Sequence, residues 1–132
     1  YYLSPAKTPG WAFNIGHRPW QRITDIHQPS DLFVFADTLL PAFGNSLPGN
    51  TALLDPPMLF SGGTWSANPS PTTAFRHGRR ARGGVGTANA AMADGSVQAV
   101  QPDPEAVTHA GQGIGSATVE PGPGYVPDWR KW

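Results

Sequence analysis

"ANAAMADGSVQAV", residues 88–100, is the stretch whose reading decides the fold. Apolar residues on both sides of the Asp94-Gly95 step read as strand, two-residue turn, strand. The type I′ turn that closes such a hairpin needs positive φ at both central residues, which Asp tolerates and Gly adopts freely. The stretch therefore predicts antiparallel strands over 88–93 and 96–100. A neighbour for them stands upstream. "DLFVFAD", residues 31–37, is a five-residue apolar run of strand formers bounded by aspartates, and it reads as the central strand. Met92, Val97 and Ala99 are expected beside its Phe33 and Phe35.

The rest of the 132-residue chain is dense in breakers, with 16 glycines and 15 prolines. The longest segment free of both is Ser30 to Leu40. Proline removes a hydrogen-bond donor and glycine weakens helix interiors, so no helix of ordinary length fits. The expected fold class is mainly β: a small antiparallel sheet of three to five strands, long loops and at most short helices. One domain suits this length, with an aromatic N-terminal segment over 1–30, the sheet and a long loop insertion over 31–100, and a C-terminal loop segment over 101–132. "QRITDI", 21–26, reads as a strand or a single turn. Residues 38–74 read as an excursion over the sheet, pinned by Phe43, Phe60 and Trp65. "PDPEAV", 102–107, offers a short helix start. Trp11, Phe13 and Trp20 are costly to leave in water and are expected to cover a sheet face.

Nine basic and nine acidic residues cancel, so the chain as a whole exerts no pull on nucleic acid, and none is expected as a partner. Arg76, Arg79, Arg80 and Arg82 surround His77, but four charges alone bind phosphates weakly and salt-sensitively. They read as a solvated loop between strands. The absence of cysteine excludes disulfides, thiolate metal sites and cysteine nucleophiles. No serine sits in a nucleophile elbow, and "GGVGTA" fits neither the dinucleotide fingerprint nor the P-loop. Dispersed carboxylates remain: Asp25, Asp37, Asp55, Asp94, Asp103, Glu105 and Asp128. Calcium takes six to eight oxygen ligands in flexible geometry and suits such a set. Asp37 and Asp94 are the first candidate metal ligands and Asp128 the third. Asp37 ends a strand and Asp94 tips a hairpin, so each can present oxygen without disturbing the sheet. The alternative is that each only caps or turns the backbone.

"FRHG", 75–78, together with "ANAAMADGSV", 88–97, resembles the C-terminal signature of bacterial prepilin-like proteins with an H-x9-DG motif, a histidine followed by a strand ending in Asp-Gly. "DLFVFADT", 31–38, resembles the strand that precedes it in that family, and "YVPDWRKW", 125–132, the family's Tyr-Val-Pro-Asp-Trp ending. The matches keep their order from residue 31 to residue 132. Sixteen residues rather than nine separate His77 from Asp94, so "GRRARGG", 78–84, looks like an insertion. The family's cleavage site and long hydrophobic helix are missing, so the resemblance implies a globular head alone. It implies an antiparallel sheet that packs on the missing helix, a secreted or cell-envelope location in a bacterium, and homo-oligomeric or pilus-like association through that helix. By similarity to the major pseudopilins of type II secretion, it also implies a structural calcium.

A reading of a different class is a calcium-dependent hydrolase of small esters or lactones, N-acylhomoserine lactones among them. In it a metal beside His77 activates water and polarises the carbonyl, with His77 the catalytic residue. In the scaffold reading, the His77 ring instead packs at the sheet edge and bonds a backbone group or Asp37.

Overall fold

The computed structural model describes residues 24, 26, 28–61, 64–78, 86–120, 124 and 125. Expectations that rest on Trp11, Phe13, Trp20, Asp25, Arg79, Arg80, Arg82 and Asp128 lie outside the described residues.

The fold is mainly β and built from small antiparallel sheets. Its strands are β1 (Phe33–Ala36), β2 (Met58–Ser61), β3 (Thr64–Ala67), β4 (Thr73–Ala74), β5 (Ala88–Met92), β6 (Val97–Val100) and β7 (Ile114–Gly115). They pair as β1-β5-β6, β2-β3 and β4-β7. Among the described residues helix is limited to three-residue 3₁₀ turns, as the spacing of glycine and proline requires. The turn Pro104–Ala106 begins where "PDPEAV" suggests. Asp103 caps it by accepting the Glu105 N–H, and Pro104 enters the turn at a position where its missing donor costs nothing.

Three expectations need correction. The central strand is β5, with β1 at one edge. The excursion over 38–74 contains a hairpin of its own, β2-β3, with Phe60 paired to Trp65. The 92–96 turn is also one residue longer than the sequence suggests. Gly95 N–H donates to Met92 O at 3.0 Å and Met92 N–H to Ser96 O at 2.8 Å, so Ala93, Asp94 and Gly95 form a three-residue loop. In that loop Gly95 takes the left-handed position, φ +87°, in place of a two-residue turn that needs positive φ at both residues.

The register separates two faces. Ala88, Ala90 and Met92 are buried on the inner face of β5. Phe33 pairs with Met92 and meets the Tyr125 ring edge-on at 5.1 Å. Beneath them lie Phe75, Ile114 and the β4 residues Thr73 and Ala74, all buried. A bulge between Phe33 and Phe35 leaves Val34 as the extra residue and keeps Phe33 facing inward while Phe35 faces out. On the outer face Phe35 pairs with Ala91, and Ala91 with Val97, forming an apolar row across all three strands. The ends of that row are open, with Phe35 73% and Val97 72% exposed.

Beyond β1 the chain continues the ladder into β4. Ala74 N–H donates to Asp37 O and Leu39 N–H to Thr72 O. The Tyr125 hydroxyl pins this layer from below, 2.7 Å from Thr73 Oγ1 and accepting the Ala117 N–H at 3.0 Å. Burial pushes its phenol above the usual tyrosine range.

Candidate functional site: the Asp37–His77 corner

The end of β1, the chain beyond β4 and the start of β5 meet at one corner. His77 and Thr87 exchange backbone hydrogen bonds, N–H to O at 2.9 and 2.7 Å, which brings the two ends of the 78–86 segment together. Gly86 makes this closure fit. A Cβ there would strike the His77 carbonyl oxygen and lie 3.1 Å from Phe75 O. Asp37 faces the same corner. Its Oδ2 accepts the Asn89 backbone N–H at 2.8 Å and His77 Nε2–H at 2.9 Å, while Oδ1 lies 3.4 Å from Arg76 Nη2. A carboxylate only accepts, so His77 carries its proton on Nε2 and, when neutral, presents a lone pair on Nδ1. The His77 side chain is 45% exposed and that of Asp37 21%.

Chemically this is a carboxylate-oriented imidazole, the arrangement that holds a base or a ligating nitrogen in one tautomer. It is also a structural clamp that joins three segments. Clefts of about 270 Å³ beneath β6 and about 170 Å³ beside Ala106 and Ser116 lie elsewhere. His77 lines neither.

Asp94 stands at the other end of the sheet. Its backbone N–H donates to Pro29 O, and its Oδ1 accepts both the N–H and the hydroxyl of Ser96. Those bonds from Ser96 hold its carboxyl below the usual range. From Asn89, which Asp37 grips, to Ala93 is roughly 13 Å of strand at ~3.3 Å per residue. One ion cannot take both Asp37 and Asp94. Asp37 is a poor calcium ligand in any case, because His77 and Asn89 occupy Oδ2 and a guanidinium faces Oδ1. Asp128 lies outside the described residues.

His109 stands apart from the Asp37–His77 corner. It bridges Ile114 through its backbone, its Nε2 lies 3.3 Å from Pro69 O, and its ring meets Phe43 edge-on. The sequence reading missed Gly86, Asn89 and Tyr125 as parts of the framework. A glycine directly before a strand can signal a close backbone approach, but Gly86 sits in the cluster Gly83-Gly84-Val85-Gly86, which reads as a run of breakers.

A scan against protein-family models finds no match to this chain, and searches of curated proteins and of solved structures find none either.

Proposed function

We propose that the protein is a pseudopilin-like head domain of a secreted or envelope-associated bacterial protein, whose sheet takes an apolar helix on its outer face. The observation that carries this reading is the Phe35–Ala91–Val97 row, apolar across three strands and open at both ends. A large exposed apolar patch on a small domain marks a contact surface. The H-x9-DG-like signature supports the same reading, with His77 serving as the clamp of the corner it opens. The calcium of this reading falls to Asp94 and Asp128, Asp37 being committed to His77 and Asn89. The test is a photo-crosslinking residue at position 35 of this chain, mixed with a synthetic apolar helix of the kind prepilins carry. Crosslinks to that helix support the proposal, and an unreactive position 35 overturns it.

A second reading, the calcium-dependent hydrolase of small esters or lactones, draws on the Asp37–His77 dyad, whose imidazole is half-exposed. Turnover of a p-nitrophenyl ester or an acyl lactone that disappears in His77→Ala while melting is preserved would establish it. No turnover by the wild type, with calcium or with chelator, would remove it.

A further inference from the structure

We infer that β6 is a docking edge for a second copy of this chain, which adds its own β6 antiparallel to extend the three-stranded sheet to six. The argument begins with the hydrogen-bond pattern. Met92 N–H bonds Ser96 O, and bonded pairs alternate along an antiparallel ladder, so Gln98 and Val100 point their backbone groups at β5. Val97 and Ala99 therefore point theirs away from it, and among the described residues nothing pairs with them. Strand edges in proteins are commonly guarded by charge, proline or a bulge. This one has none of those guards: Ser96 to Gln101 holds no charged residue and no proline, and the β5–β6 register is unbroken.

The sequence of the edge suits a copy of itself. A two-fold axis at Gln98 sets Val97 opposite Ala99 of the partner and Gln98 opposite Gln98, so the outward N–H and C=O groups of both strands are satisfied. No like charges meet, and two facing carboxamides can bond each other. Symmetric, self-complementary contacts of this kind are how most homodimers form. A second observation points the same way. The cleft of about 270 Å³ lies directly beneath this edge, with Gln98, Ala99 and Val100 on one side and Phe33, Met92 and Gly124 on the other. A strand added to an edge needs such space for its alternate side chains. The pairing also doubles the outer apolar row, because Val97 of each copy stands at the seam. An interface this small is weak, and it depends on concentration.

The test uses the chain itself in sedimentation equilibrium over a concentration series, with Gln98→Lys, Gln98→Glu and their equimolar mixture. The wild type is expected to dimerise. Each charged variant alone should weaken dimerisation at least about tenfold, because like charges face each other across the axis. The mixture should restore it. Ala99→Pro removes an outward N–H without touching the β5 ladder and should also give monomer with unchanged melting, which keeps the test open if a Gln98 variant misfolds. Hydrogen exchange at Val97 and Ala99 supplies the remaining readout. A wild type that stays monomeric overturns the inference, whether those amides are open or are protected by another segment of the same chain. So does a mixture no more associated than its components.

Discussion

His77 Nε2 and Asp37 Oδ2 lie 2.9 Å apart, and the same oxygen accepts the backbone N–H of Asn89. One carboxylate thus ties together β1, the chain beyond β4 and the first turnless residues of β5. Asp37→Ala strands the Asn89 donor and frees the imidazole at once. It is expected to cost about 1–2 kcal/mol, the usual range tempered by partial exposure. Asp37→Asn keeps an acceptor for Asn89 and should lose less than Asp37→Ala. Urea unfolding of the two variants measures the difference, and equal losses would show that the Asn89 bond contributes nothing.

Tyr125→Phe removes the partner of the buried Thr73 Oγ1 and of the half-buried Ala117 N–H. The expected cost is about 1–3 kcal/mol. Alkaline pH gives a second signature. The folded-state phenol is raised above its unfolded value near 10, so its contribution is complete below about pH 10 and is lost as pH climbs through the folded value. Chemical denaturation at pH 8 and pH 11 should show a fall in the wild type that is smaller in the variant.

Burial pushes the Asp55 carboxyl up. A raised acid favours the folded state only while protonated, so this preference is present below about pH 4 and disappears as pH rises through the folded value. Asp55→Asn should therefore melt higher than the wild type at pH 7, and the two should converge near pH 3. Melting curves at both pH values provide the comparison.

Gly86→Ala drives a methyl group into the His77 carbonyl oxygen. A loss of about 2 kcal/mol or more is expected, since the clash is with backbone and cannot be relieved by a rotamer change. Gly95→Ala is milder, because nothing stands within 4 Å of its Cβ and only the positive φ is penalised. That variant should lose about 1 kcal/mol. Thermal melts that rank the two in the opposite order would contradict the geometry of the corner.

The three strands β1, β5 and β6 were legible because an apolar run and an Asp-Gly step are strong local signals. Which strand is central was not. The run 32–36 looks buried on both faces, yet Phe35 and Val34 face solvent, one on an open sheet face and the other at a bulge. The β2-β3 hairpin was hidden by Pro56-Pro57 and Gly62-Gly63, read only as breakers, although Gly-Gly between apolar runs is itself a hairpin signal. At the candidate site, the His77–Asp37 contact was named in the scaffold reading, although His77 follows β4 of a separate sheet and reaches the entry to β5 only through its bridge to Thr87. The separation of Asp37 from Asp94 was also implicit. Each follows the C-terminal end of its strand, and antiparallel neighbours put those ends on opposite sides of a sheet. The small cavity beneath β6 had no sequence signal, since it arises from how the 117–118 segment passes the strand.

The reciprocal bonds between His77 and Thr87 have a consequence for how this chain can vary. They join the two ends of the 78–86 segment, so the chain is anchored beside the start of β5 at His77 before that segment and at Thr87 after it. Length added between them is charged only closure entropy, about 0.6 kcal/mol for each doubling. The corner is thus a natural splice point, where residues can be lengthened, shortened or replaced by a foreign epitope while β1, β5 and β6 keep their pairing.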